Sequence, residues 1–597
     1  MTELVFKGKE FVWNHHLAVP FRPLVMQADK GVGDARLDGN LIVQGDNLHA
    51  LKALLPMYAG KVDCIFIDPP YNTGNEGWAY NDNVNAPMIR EWLEANPVGV
   101  DDGLRHDKWC AMMLPRLRLL YELLAETGTF FVSIDDNESQ RLRAMLDEIF
   151  GEDGFIAEVI WRSSDSSNND AKRFSQDHNT IFAYSKNADW IAAKLERDEA
   201  ANAHYNNPDN DPRGDWFPGN LSSPNPRENL RYTVQHPDGR LLQPPPNGWR
   251  WSRDLMNRKI ETGEIIFVAA ERGILRKTYL ADQQGTSPSS LWANLDETGH
   301  TRNAKYELKR IFSELDTAQL FSTPKPTKLI ARILQVIGNK NALVLDSFAG
   351  SGTTAHAVLD ANNRDGGNRR FILVEMENYA DELTAERVRR VVNGYDFVGT
   401  QKVELLRERL NWRSFENAGG IVQRVQGIEN LHGHEFDRIK KEVKGGELVV
   451  TGERAVAERA EGLGGSFTYC TLGEPVELDN ILTGEDLPDF AALGGILFHM
   501  STSQPMPQGQ LDEGRFHVGE VNGTRVWMIY RPDLEWLKSP DAALTLTFAR
   551  SIAQEFPNDR HLVFAPARYV SQRLLDAEGL AVEFVPLPFA LYRVERG

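Results

Sequence analysis

Asp68-Pro69-Pro70-Tyr71 closes the run Val62-Asp63-Cys64-Ile65-Phe66-Ile67. The run is short, mostly apolar and ended by two prolines, so it reads as a buried strand that stops abruptly. Beyond its end come a carboxylate, a rigid carbonyl-bearing dipeptide and an aromatic ring, at the edge where open α/β sheets place ligands. The set suits a planar ring that carries an amino group. Asp68 and the Pro69 carbonyl can accept the two amino hydrogens while Tyr71 stacks on the ring. In a dry pocket that arrangement turns the nitrogen lone pair toward an electrophile.

Upstream, Leu41-Ile42-Val43-Gln44-Gly45-Asp46 reads as a strand, and residues 47–58 as a helix with Leu48, Leu51, Leu54 and Leu55 on one face. Strand, helix and strand form a βαβ crossover, which predicts a parallel sheet and puts Asp46 at the same edge as Asp68. Residues 72–107 read as a long loop. A helix is expected at about 109–125, a strand at 128–134, a helix at 139–150, and strands at 155–161 and 180–184. Periodicity then lapses until Thr323-Pro324-Lys325-Pro326, a helix over 327–337 and the strand Ala342-Leu343-Val344-Leu345-Asp346. That strand runs into Ser347-Phe348-Ala349-Gly350-Ser351-Gly352-Thr353-Thr354 and another helix. A strand, a Gly-x-Gly turn and a helix N-terminus make a backbone cradle for a carboxylate or phosphate. Phe371-Ile372-Leu373-Val374-Glu375 then ends a second strand with an acid placed to accept both hydroxyls of a ribose. Singly, the tetrapeptide could be a strand terminator and the glycines an ordinary turn. Together with Glu375 and Asp46 at matching strand ends they favour a site.

With 597 residues, two to four domains are expected, and 41% apolar with 25% charged residues is the composition of a globular protein. No apolar run is long enough to span a bilayer and the N-terminal residues lack a signal-peptide core, so a cytoplasmic protein without a membrane partner is expected. Cys64, Cys110 and Cys470 show no ligand spacing, and no metal site is expected. The net charge of −19 weighs globally against polyanion binding, but over residues 158–330 the two signs balance at about two dozen each. Within that stretch Asp211-Pro212-Arg213-Gly214-Asp215-Trp216 and Asn247-Gly248-Trp249-Arg250-Trp251 interleave arginine with tryptophan. Arginine reads base edges and aromatics stack on unpaired bases, which makes Arg213, Trp216, Arg250 and Trp251 candidate DNA contacts. An irregular structural insertion is the alternative.

Asp68-Pro69-Pro70-Tyr71 resembles the catalytic motif of the amino-group DNA methyltransferases, which use S-adenosylmethionine to methylate adenine N6 or cytosine N4. The extension Asn72-Thr73-Gly74, the run Gly45-Asp46-Asn47-Leu48-His49-Ala50-Leu51 and the Asp211 to Trp216 run resemble the Mod subunits of type III restriction-modification systems. The order of parts, with the tetrapeptide first and the glycine turn last, resembles the circularly permuted β group. The resemblance is specific over about residues 40–390. It implies a Rossmann-like, mostly parallel methyltransferase sheet, with Asp68, Pro69, Pro70 and Tyr71 catalytic. Cofactor binding would fall to Asp46, Lys325, Asp346, Phe348, Ala349, Gly350, Ser351, Gly352, Thr353 and Glu375. It also implies double-stranded DNA as substrate, a homodimer, and partnership with a restriction (helicase-nuclease) subunit.

The expected organisation is an extension over 1–40, a catalytic half over 41–186, a target-recognition insertion over 187–320, a cofactor half over 321–395 and a separate C-terminal α/β domain over 396–597 concerned with subunit contacts. The functional expectation is an adenine-N6 DNA methyltransferase that flips its target base and serves a type III-like restriction-modification or phage-defence system. Cytosine N4 needs the same acceptors and is the alternative. A catalytically silent DNA-recognition subunit is the alternative of another class, and the intact Asp68 and glycines weigh against it. No Gly-x-x-x-x-Gly-Lys-Ser/Thr loop for ATP is present, and no cysteine follows a proline as a cytosine-C5 enzyme would need.

Overall fold

The strand Val62–Ile67 lies inside a ten-stranded sheet and is buried at every position except Asp63. In the computed structural model the described residues are 3–73, 103–197, 202–268, 273–283, 285–316, 319–475 and, apart from 503, 505, 508 and 538, 487–587. Most of the loop expected over 72–107, including Gly74, lies outside them.

The sheet runs in the order Leu24–Val32, Phe467–Leu472, Leu41–Gln44, Arg370–Glu375, Leu343–Asp346, Val62–Ile67, Leu124–Ile134, His178–Ser185, Phe155–Arg162 and Leu291–Trp292. From Phe467–Leu472 through Leu124–Ile134 every neighbour is parallel, and His178–Ser185 is antiparallel to the strands on both sides. The sheet is therefore mixed and mostly parallel. Asp46 starts the helix Asn47–Tyr58 by accepting the N–H groups of Leu48 (2.9 Å) and His49 (3.3 Å), a side-chain N-cap. That helix carries the chain past two strands, from Leu41–Gln44 to Val62–Ile67. From Leu343–Asp346 the helix Thr353–Asp365 leads the other way, to Arg370–Glu375. From Val62–Ile67 the chain goes on outward to its other neighbour, Leu124–Ile134, so the directions part between Leu343–Asp346 and Val62–Ile67, which pair Val344 with Cys64 and Leu345 with Ile65. A crevice at such a switch point, outside the carboxyl ends of the strands, is where this architecture receives ligands.

Residues 192–288 form a compact unit of their own, smaller than the expected 187–320. Leu291–Trp292 and the helix Thr301–Ile311 belong to the sheet-bearing unit. The smaller unit has a three-stranded antiparallel sheet of Ile265–Phe267, Ile274–Tyr279 and Trp216–Gly219. Its core gathers Val234, Leu242, Trp249, Met256, Ile265 and Ile274.

The C-terminal residues do not stand wholly apart. Phe467–Leu472 enters the large sheet between Leu24–Val32 and Leu41–Gln44. It covers backbone groups that Leu41–Gln44 would otherwise leave open at an edge, and Cys470 joins the main core. Tyr395–Arg409 forms a strand paired antiparallel with Glu447–Ala460. Tertiary pairing overrides the helix-forming Glu, Leu and Arg content of that segment. Residues 517–586 form a four-stranded sheet. Its hairpin turns at Asn522 and Gly523, both at positive φ (50° and 73°), as an Asn-Gly turn requires. Among the described residues no helix is long and apolar enough to cross a membrane.

Candidate active site

At the end of its strand Asp68 is part-buried, and its two carboxylate oxygens have separate partners. The Tyr71 hydroxyl donates to Oδ1 at 2.8 Å, and the Lys325 ammonium donates to Oδ2. Ser133 Oγ lies 2.7 Å from the same tyrosine oxygen. Since the one phenolic hydrogen goes to Asp68, the serine is the donor of that second bond. Burial first, and the Asp68 charge next, hold the Tyr71 phenol well above its ordinary range, so it remains an O–H donor. Trp109 Nε1 donates to the Pro70 carbonyl at 2.7 Å, clamping the tetrapeptide from the helix Arg105–Leu123. Asn72 sits fully buried at φ 61° and donates to the Arg105 carbonyl at 3.2 Å and to Glu138, which also meets His106. A buried asparagine in the left-handed region costs of order 1 kcal/mol, and these bonds hold it there.

The neighbouring strand ends in Asp346, 3% exposed. Its Oδ1 accepts the Phe348 N–H at 3.1 Å and its Oδ2 the Thr354 hydroxyl at 2.5 Å. Burial outweighs these donors and pushes its pKa up to about 7. The turn that follows needs its glycines. Gly350 has φ 50° and Gly352 φ 76°, and a Cβ on Gly352 would stand 2.9 Å from the Thr384 carbonyl oxygen. Glu375, one strand further, accepts the Gly350 N–H (2.7 Å) through Oε2 and the Glu377 N–H (3.0 Å) through Oε1. Burial raises its pKa as well. From below, the buried Arg387 donates to the Ser351 carbonyl (3.3 Å) and hydroxyl (3.0 Å) and to the Thr353 hydroxyl (2.7 Å). Ala349 is tied to the Val374 carbonyl at 3.1 Å, and Phe348 packs on the main core.

The other candidates are placed less simply. Asp46 stands at the same sheet edge, but one oxygen caps its helix and the other pairs with Arg116 at 3.2 Å. Lys325 shares a bond with the glycine turn through its carbonyl, which accepts the Thr353 hydroxyl at 3.1 Å, while its ammonium goes to Asp68. In the smaller unit Arg213 is held in a fork by Asp211, and Trp216 is buried with its indole N–H on Asp209 at 2.9 Å. Arg250 is exposed and Trp251 half-buried, with Arg276 and Lys259 over the Trp251 ring at 5.2 and 5.4 Å. Ser133, Trp109, Glu138, Thr354 and Arg387 are residues that the sequence reading did not single out. Only Ser133 left a signal, as a hydroxyl within the otherwise apolar Phe130-Phe131-Val132-Ser133-Ile134 strand end.

A family model for N6/N4 methyltransferases, described as DNA methylase, matches residues 62–386, more than half of the chain. The chain belongs to the DNA methylase family. Among curated members it is 33% identical over 381 residues to the StyLTI Mod subunit of a type III restriction-modification enzyme from Salmonella typhimurium, covering 59% of this chain and 57% of that one. It is 31% identical over 428 residues to the EcoP15I Mod subunit from Escherichia coli, covering 63% of each. It is 30% identical over 353 residues to the type II methyltransferase M.KpnI from Klebsiella pneumoniae, covering 55% of this chain and 79% of that one. The matched part of this DNA methylase chain thus spans roughly three fifths of the length of each Mod subunit. Both the tetrapeptide and the glycine turn fall within the family match.

Proposed function

We propose that the protein transfers a methyl group from S-adenosylmethionine to adenine N6 in duplex DNA, after flipping the base, and that it serves as the modification subunit of a type III-like restriction-modification or phage-defence system. The observation that carries this reading is the direct pairing of Val62–Ile67 with Leu343–Asp346, which puts the Asp68 carboxylate and the Gly350/Gly352 turn at one sheet edge. The earlier position in the chain of the Asp68 strand supports the permuted order of the β group.

The residues present fit the cofactor. Each Glu375 oxygen accepts one backbone N–H, which leaves lone pairs for the two hydroxyls of a ribose. At Gly350 and Gly352 the turn offers backbone without side chains of its own, the Phe321 ring lies against Gly350, and Asp346 and Arg387 fix the shape of the turn. Asp46, through its cap and its bond to Arg116, sets the adjoining edge. When bound, S-adenosylmethionine supplies a sulfonium methyl as the electrophile. The chain's own task is to present the amine. Asp68 and the Pro69 carbonyl accept the amino hydrogens, so the lone pair points away from them. Tyr71, its hydroxyl pinned by Asp68 and Ser133, offers a ring to a base that has left its stack. Positioning and stabilisation of the charge growing on nitrogen supply the acceleration, without a covalent intermediate.

DNA contact falls to the 192–288 unit, with Arg250 and Trp251 as reading side chains and Arg213 and Trp216 as the framework that holds the unit in shape. The C-terminal region serves subunit contacts within a homodimer and toward a restriction subunit. The test is transfer of labelled methyl to unmodified plasmid DNA, followed by digestion to nucleosides. Label in N6-methyldeoxyadenosine is the expected result. Label in N4-methyldeoxycytidine would assign the other base, and no label from a protein that binds the donor would point to a silent recognition subunit and overturn the proposal.

A further inference from the structure

Lys325 reaches across 257 positions of sequence to place its ammonium on Asp68 Oδ2, and its nitrogen lies 5.1 Å from the centre of the Tyr71 ring. The contact is sheltered, with 11% of the lysine side chain and 22% of the aspartate side chain exposed. Prolines flank the lysine on both sides, and Thr353 holds its carbonyl at 3.1 Å, so the backbone is fixed where the side chain starts. An amine that donates to Asp68 beside the Tyr71 ring is what the target base itself would present. Two amines cannot share that place during reaction. The nitrogen that receives a methyl group becomes positively charged, and an ammonium bonded to the same carboxylate oxygen would oppose that charge.

We propose that Lys325 is a placeholder for the target amino group: it occupies the acceptor carboxylate while the pocket is empty, keeps Asp68 oriented, and is displaced when the base enters. This rests on the methyl-transfer reading given above. Lys325 is a positioning residue, and it acts as an internal competitor of the DNA base. Removing a lysine near DNA ordinarily weakens binding through loss of a phosphate partner. A placeholder predicts the opposite sign.

The test is steady-state transfer to plasmid DNA by the full chain and by Lys325→Met and Lys325→Arg, with DNA and S-adenosylmethionine varied separately. The methionine variant is expected to lower the KM for DNA at least threefold without moving the KM for the donor. The arginine variant, whose guanidinium can grip the carboxylate with two bonds, is expected to raise the KM for DNA. A DNA KM in Lys325→Met that is unchanged or raised would overturn the proposal, as would a shift confined to the donor KM, which would place Lys325 in the cofactor site. A shift of both variants in the same direction would overturn it too. If the methionine variant does not fold, the arginine variant still fixes the sign. Failure of the parent protein to transfer methyl at all would strike the functional reading instead, so the two failures are distinct.

Discussion

Among the described residues two aspartates meet a lysine and a tyrosine, and they are held in opposite ways. Asp211, in the 192–288 unit, receives Lys277 at 2.6 Å and the Tyr279 hydroxyl at 2.8 Å, and Arg213 adds its backbone N–H and two guanidinium bonds. Five donors fill the roughly four lone-pair sites of a carboxylate. Both ends of the Lys277 pair are nearly closed to solvent, 4% and 5% exposed, and Lys277 and Tyr279 rise from the same strand face, two residues apart. Among the described residues Asp68 accepts from Tyr71 and Lys325 alone, and Lys325 comes from a distant part of the chain. A saturated carboxylate with local partners builds structure. An unsaturated one with a removable partner is free to accept another donor.

Lys277→Met would break the saturated cluster most severely, leaving Asp209 and Asp211 without their shared cation. The 192–288 unit is expected to be cleaved at least about tenfold faster in limited proteolysis, with donor affinity unchanged. Equal protease resistance would show the cluster to be as dispensable as an ordinary surface pair. Next in size is Glu375→Gln, which exchanges one acceptor oxygen for a donor at the glycine turn. Calorimetry should show the donor Kd rising about tenfold, the equivalent of one hydrogen bond.

Asp346 supplies a pH test of opposite sign to Asp211, whose pKa is held well below the usual range, by Arg213 above all. The Asp346 pKa of about 7 in the fold lies above the value near 4 of an unfolded chain. The folded state therefore binds this proton more tightly. The cost of burying the charge is absent below about pH 4, grows from there to about pH 7, and is complete above. Asp346→Asn removes that cost, so its melting temperature relative to the parent should climb over that interval, and a flat difference would refute the assignment. The smallest effect is expected from Arg250→Ala. This exposed side chain has no structural cluster to break, so stability should hold while DNA affinity falls a few-fold and its salt dependence drops by about one charge.

Strands that end in chemistry were legible because their signal is local. Leu41–Gln44, Val62–Ile67, Leu343–Asp346 and Arg370–Glu375 are apolar runs that each lead into an acid, and adjacency at a switch point follows from the crossovers. Leu24–Val32 was not legible, since Gln27, Asp29 and Lys30 make it a half-exposed edge strand without an apolar run. Nor was the entry of Phe467–Leu472 into the sheet, or the strand at Tyr395–Arg409, because both depend on partners far along the chain. At the site, the sequence located the carboxylates but not their partners. Which lysine reaches Asp68 is a property of the fold, and Thr-Pro-Lys-Pro on its own points only to the cofactor half. The insertion gave the least. Its Arg-Trp runs look alike in sequence, yet one is consumed by Asp211 and Asp209 while Arg250 remains open.

The central claim is that Asp68 presents the target amine and is not needed to hold the donor. Asp68→Ala and the parent, compared in single-turnover methyl transfer to plasmid DNA with donor binding measured on the same samples, test it most directly. A loss of at least about a thousandfold in rate with donor affinity within threefold is the predicted result; transfer within tenfold of the parent would contradict the account.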